Sequence, residues 1–258
     1  MIPIKNNLLT KLKILWNSPD STRGRTWEFD GPYYPNSWMS YSREMSDGLD
    51  LFNCQSFDDL LILIGKLLKQ KPNITDLMGG AYFIENSELA GTITGVRVHD
   101  KDQDFLSVFG ESNNSKHKEM MKILSAKNRR VVEADLLTES GWRSLKSLPK
   151  ANLLVCRPVG IFDCRHAKVS RLDDSTLYHE FYEWLFDNLI SLTSNKSIIF
   201  SEIPDFMEDN QVIKFLKRKD KQNNSKSIIF KVSDEAYHWA GFERRYVVII
   251  RGISLLGS

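Results

Sequence analysis

Acidic and basic residues recur at one kind of place along this chain: just past short apolar, β-rich runs. Asp76 lies at the end of NITDL (73–77) and is followed by Met78 and the pair Gly79-Gly80. Asp100 ends TITGVRVHD, and Asp135, with Leu136 after it, ends RRVVEAD. Arg157 follows NLLVC, and Glu202 closes the run that begins at Lys196. His166 and His238 fall in polar stretches downstream of such runs. Carboxylates can hold hydroxyls or amino groups, a guanidinium can orient an anion, and an imidazole or carboxylate can take a proton. The glycine pair lets backbone approach a ligand with no Cβ in the way. An open α/β sheet builds a nucleotide-shaped pocket in this way, at the carboxyl ends of successive strands.

These residues need elements to position them. Ser56-Phe57-Asp58-Asp59 reads as a helix start, with serine as cap and acids at the positive end. Phe57, Leu60, Leu61, Ile64, Leu67 and Leu68 keep helical spacing before Lys69–Pro72 ends the element. Strands are expected from Asn73, over Thr92–Val98, Arg130–Ala134, Asn152–Cys156 and Lys196–Ile203, and over Ser227–Val232 and Glu243–Arg251. Helices are expected over Ala81–Leu89, in an interrupted region from Gln103 to Lys127, and over Thr138–Leu148. Two more are expected, from Leu177 to Leu192 and over Asp209–Lys219. The alternation from residue 73 to 203 implies a parallel sheet covered by helices on both faces. The last two strands have no strong helical crossover between them and suggest an antiparallel edge. The fold class is therefore α/β, Rossmann-like, with a seven-stranded, mostly parallel sheet and an antiparallel edge strand.

Residues 1–55 differ in character. Trp16, Trp27, Phe29, Tyr33, Tyr34, Trp38 and Tyr41 are interleaved with Pro19, Pro32, Pro35, Gly24 and Gly31. So much aromatic area is costly to leave in water, and the prolines forbid a helix. The segment is expected to strap across the main domain (56–258), as extra core or as a lid on the acceptor pocket.

Composition bounds the function classes. A net charge of +2 over 258 residues gives no electrostatic case for nucleic-acid or membrane binding. The most apolar run, Leu60–Leu68, is broken by Gly65 and Lys66 and is too short to span a bilayer. The lysine-bearing start is a poor signal peptide. Three cysteines are too few for a disulfide framework and fit a reducing, cytoplasmic setting. Cys156, Cys164 and His166 lack a Cys-x-x-Cys pair, so they read as a buried thiol and loop residues rather than a metal site. His179 and Glu183 are four apart on an expected helix without the rest of a zinc motif, and read as a solvated or half-buried face. The basic run Lys214–Lys226 carries Asp220 and no aromatic row, and reads as a solvated loop. Met78-Gly-Gly-Ala-Tyr82 is not the Gly-x-Gly-x-x-Gly of dinucleotide binding, and neither a P-loop nor a Gly-x-Ser-x-Gly elbow occurs.

Over about residues 56–251 the order of elements, with four motif positions, resembles the class I S-adenosylmethionine-dependent methyltransferases. The resemblance implies S-adenosylmethionine as cofactor. It places Asp76, Met78, Gly79 and Gly80 at the methionine part, Asp100 at the ribose hydroxyls, and Asp135 with Leu136 at the adenine. Met78 and Tyr82 stand where the family commonly has glycines, and Arg97 where its ribose-binding acid is expected. Arg157 stands where amino-methylating members have asparagine, so amino methylation of a base is not supported. The loop at Arg157 would face the methyl group. Arg157 would contact the cofactor and orient an anionic acceptor, His166 or His238 would act as base, and Glu202 as base or orienter. The acceptor, small molecule or macromolecule, is not identified by these residues. The alternative is a catalytically inactive binding module on the same fold, to which the incomplete glycine turn and Arg97 point.

Overall fold

The computed structural model describes residues 45–77, 81, 83–98, 126–134, 136, 139–156, 175–203, 209–231 and 245–253. The aromatic segment before Met45, with its lid or brace role, and the helical region expected over Gln103–Lys127 lie outside these, apart from residues 126 and 127. Among the described residues the helices are α1 (Ser46–Asp50), α2 (Phe57–Leu68), α3 (Glu139–Lys146), α4 (Ser175–Leu192) and α5 (Asp209–Asn223). The strands are β1 (Asn73–Leu77), β2 (Thr92–Val98), β3 (Arg129–Ala134), β4 (Ala151–Cys156), β5 (Thr193–Ile203), β6 (Ser225–Lys231) and β7 (Arg245–Arg251).

Helix α2 begins where its cap chemistry dictates. Ser56 Oγ accepts from the Asp59 amide at 3.1 Å, and Asp59 Oδ2 accepts from the Ser56 amide at 3.0 Å. This reciprocal box satisfies donors that the first turn leaves without helical partners. Lys69, at φ 55°, ends the helix in the left-handed region. Phe57, Leu60, Leu61 and Ile64 form its buried stripe.

The seven strands form one sheet in the order β3-β2-β1-β4-β5-β7-β6. Strands β1 to β5 are parallel, and β7 runs antiparallel to both β5 and β6. The architecture is the Rossmann-like, mostly parallel sheet expected above, with the reversed strand one place in from the edge. Every residue of central β4 is buried, as a strand covered on both faces requires. Alternate residues feed two cores. Leu154, Cys156, Ile199, Val247 and Ile249 pack with Trp142, Trp184, Leu185, Phe186 and Leu216 from α3, α4 and α5. Leu153, Val155, Ile198, Phe200, Val248 and Ile250 pack with Met45 and with Leu49, Phe57, Leu60 and Ile64 from α1 and α2. Residues 45–54 thus lie on the sheet. Gly48 is required there, because a Cβ would stand 2.5 Å from the Phe230 ring and 2.8 Å from the Phe200 ring.

Three expectations are corrected. The basic run Lys214–Lys226 is not a solvated loop: it lies on α5 and β6, with Lys219 buried and paired with Asp187. The stretch Ala81–Leu89 is not a helix: its described part is irregular, with a single 3-10 turn at Ser87–Leu89. Strand β5 starts at Thr193 rather than Lys196, directly after α4. Its register with β4 shifts between Ala151 and Leu153. Asn152 stitches that irregularity, donating to Ser194 Oγ and to the Lys196 carbonyl, each at 3.0 Å.

Candidate functional site

The chain leaves β1 towards β2 and β3 on one side and places β4 and β5 on the other. Between β1 and β4 the strand order reverses. A crevice opens outside the carboxyl ends at such a point, and ligands of open α/β sheets bind there.

Asp76 sits at this place. It follows Ile74 by two residues and so shares its face, opposite Val155 of β4. It is 1% exposed, and its Oδ2 accepts the Ala81 amide proton at 2.6 Å. Ala81 is thereby tied to β1. Ala81 has φ 56°, the left-handed region that a side chain disfavours. Its carbonyl accepts from Arg129 Nη1 at 2.6 Å, and Nη2 donates to the Ile84 carbonyl at 2.9 Å. Further along, Asp58 of α2 accepts the Asn86 amide at 2.9 Å and the Glu85 amide at 3.3 Å. Asn128 Nδ2 donates to the carbonyls of Ser87 and Ala90, at 2.7 and 2.9 Å. Residues 81–90 are thus a strap whose polar backbone is held by side chains of neighbouring elements. Burial of Asp58 raises its carboxyl pKa, which the two amide hydrogen bonds and the charge of Arg129 partly offset.

Glu202, near the end of β5, is the second buried acid at this edge, paired in register with Tyr246 of β7. It shares the face of Phe200, and hence that of Asp76. Cys156 ends β4 between them, opposite Leu77 on one side and Ser201 on the other. Complete burial pushes its thiol pKa well up. The charges of Asp76 and Glu202 add to this, against a hydrogen bond with Ser201. Cys156 is therefore a neutral core group and not a nucleophile. Leu136 is fully buried in the helical core, and its carbonyl accepts from the Trp142 indole at 2.8 Å.

Of the residues singled out in the sequence, Asp76 and Glu202 flank the end of β4, and Leu136 lies just past β3. Met78, Gly79, Gly80, Asp100, Asp135, Arg157, His166 and His238 lie outside the described residues. Glu183 pairs with Arg218 on α5. No group of three metal-ligating side chains occurs among the described residues. Sequence reasoning missed Arg129, Asn128 and the grip of Asp58 on the strap. The signal for the first was an arginine heading a strand whose start is buried.

No protein-family model matches the chain, and no curated protein is similar to it in sequence. Its sheet is Rossmann-like. Among solved structures it is similar to a magnesium protoporphyrin IX methyltransferase from Synechocystis PCC 6803 with bound SAH: 12% identity, 94% of this chain, 99% of that one, TM-score 0.44. A methyltransferase from Pyrococcus furiosus gives 11% identity, 86% of this chain, 100% of that one and a TM-score of 0.42. A spermidine synthase in complex with a transition-state analogue gives 12% identity, 78% of this chain and a TM-score of 0.45. The chain spans 60% of that synthase and 48% of TrmN from Thermus thermophilus.

Proposed function

We infer that the chain is an S-adenosylmethionine-dependent methyltransferase acting on an acceptor still to be identified. The observation that carries this reading is the buried carboxylate of Asp76 at the strand-order reversal, holding the chain back on itself through the Ala81 amide. Asp76 and Ala81 bracket the pair Gly79-Gly80 in sequence, and glycines suit close backbone approach to a ligand. On this reading Asp76, Met78, Gly79 and Gly80 hold the methionine part, Asp100 the ribose, and Asp135 with Leu136 the adenine.

S-adenosylmethionine supplies a methyl group on a sulfonium, already activated as a leaving group. The protein's work is therefore alignment and, where the acceptor carries a proton, its removal. Arg157 orients the acceptor and His166, His238 or Glu202 takes the proton. Of these, Glu202 is the one on a described strand, buried near the end of β5.

One observation favours a second reading, a binding module without catalysis. Among the described residues between β1 and β2, Ala81 and residues 83–86 are irregular and the 3-10 turn Ser87–Leu89 is the one helical element, so these residues offer no α-helix N-terminus beside the glycine pair. Titration calorimetry with S-adenosylmethionine and S-adenosylhomocysteine tests the first reading. Binding should stabilise the fold by about 2.7 kcal/mol at a hundredfold excess over Kd. Gly80→Val should abolish the heat and keep a cooperative melt. Absence of heat and of thermal shift at millimolar ligand rejects both readings, as regards this cofactor. Binding with no transfer of labelled methyl into any component of a cell extract selects the second.

A further inference from the structure

We propose that Arg129 is a positioning residue for this site, fixing the carboxylate of Asp76 by clamping the strap behind it. The proposal rests on the reading of Asp76 as part of an S-adenosylmethionine site. The link is a single residue. The Ala81 amide is held by Asp76 Oδ2 at 2.6 Å, and the Ala81 carbonyl by Arg129 Nη1 at 2.6 Å. Ala81 is gripped from both sides in a left-handed conformation. Such a conformation persists only where the surroundings over-determine it. The second arm of the guanidinium, on the Ile84 carbonyl, sets the direction from which the strap returns. Asp58 holds the far end at Glu85 and Asn86.

Arginine suits this task and lysine does not. A planar fork serves two carbonyls at once with fixed geometry, whereas an ammonium is one compact, strongly hydrated charge. Arg129 heads β3, two strands away from β1, at the amino end of the sheet. Its reach across β2 makes the placement of Asp76 depend on the register of the whole parallel half. The effect on ligand passes through Ala81 and Asp76, so Arg129 is not a catalytic residue.

The experiment is a double-mutant cycle on S-adenosylhomocysteine affinity, by calorimetry on the full chain, with amide hydrogen exchange at Ala81. Arg129→Lys should weaken binding tenfold or more and speed exchange at Ala81, with a cooperative melt retained. Asp76→Asn should weaken binding by itself. The double variant should bind no worse than the weaker single variant, because the placement of Asp76 no longer matters once its charge is gone. Multiplying losses would show that Arg129 acts through general stability, and the proposal falls. Wild-type affinity in Arg129→Lys overturns it too and leaves the methyltransferase reading intact. Failure of the wild-type chain to bind overturns both. If Arg129→Lys does not fold, Asp58→Ala, which loosens the strap from its exposed end, should weaken binding three- to fivefold, and unchanged affinity there overturns the proposal.

Discussion

The two faces of the sheet solve the same covering problem with different means. On one face α3, α4 and α5 satisfy their own backbone and meet through side chains. Trp142 and Trp184 stand edge to face at 5.1 Å, as do Phe186 and Phe215. Glu183 and Asp187 of α4 pair with Arg218 and Lys219 of α5. On the other face α1 and α2 share the cover with the strap of residues 81–90, whose backbone is satisfied by Asp58, Asp76, Asn128 and Arg129. The regular face is specified by local periodicity. The strap is specified mostly by side chains distant in sequence, and its Ala81 amide is tied to Asp76 of β1, the acid at the strand-order reversal. Local preference and global fold part company at the candidate site, where such conflicts are tolerated when function requires them.

The largest expected effect lies on the helical face. Trp142→Ala removes a buried ring and its bond to Leu136, and should cost about 3–5 kcal/mol. Chemical denaturation measures it. Hydrogen exchange should show the loss throughout α3, α4 and α5, and unchanged local opening of residues 83–90. If the strap opens as readily as the helices, the two faces are not separable.

A smaller change should act on the strap alone. Asn128→Ala leaves the Ser87 and Ala90 carbonyls without their side-chain donor, at a cost of about 1–2 kcal/mol for a half-buried bridge. Exchange should quicken at Ile84–Gly91 and stay unchanged in α4. Equal acceleration on both faces would contradict the division.

The smallest effect falls at the junction. The Cys156 thiol pKa is raised by burial above its ordinary 9.0. Below about pH 9 the neutral thiol's stabilisation is fully present. As pH rises further the unfolded thiol ionises first, and stability falls by about 1.4 kcal/mol per pH unit for this group. Cys156→Ser should flatten the alkaline limb of stability against pH by that amount relative to the parent. An unchanged slope would mean that the thiol ionises within the fold.

Most of the frame was legible. Thr92–Val98 is bounded as its β-branched run dictates, and α2 by Ser56 and its box with Asp59. Both signals are local. The strap was not legible, because AYFIENSELAG carries a short apolar stretch that reads as helix when its neighbours are unknown. What decides it is a fork of hydrogen bonds from Arg129, 48 residues from Ala81. The early start of β5 depends likewise on Asn152, 42 residues from Ser194. Within the site, Asp76 and Glu202 were legible as strand-end acids. Leu136 lies past the end of β3, as its place in the sequence suggests, and is buried in the core cluster that includes Trp142 and Trp184.

The place of β7 has a consequence for the order of events during synthesis. β6 leaves the ribosome before the only strand it pairs with among the described elements. From Lys231 to Arg251 the growing chain holds two unfinished borders, one on β5 and one on β6, the latter bearing Ile228, Ile229 and Phe230. At typical elongation speeds that interval lasts about 1–4 s. An unpaired apolar strand is a template for association with other chains. The window closes when the reversed strand slides between the two borders and zips both together.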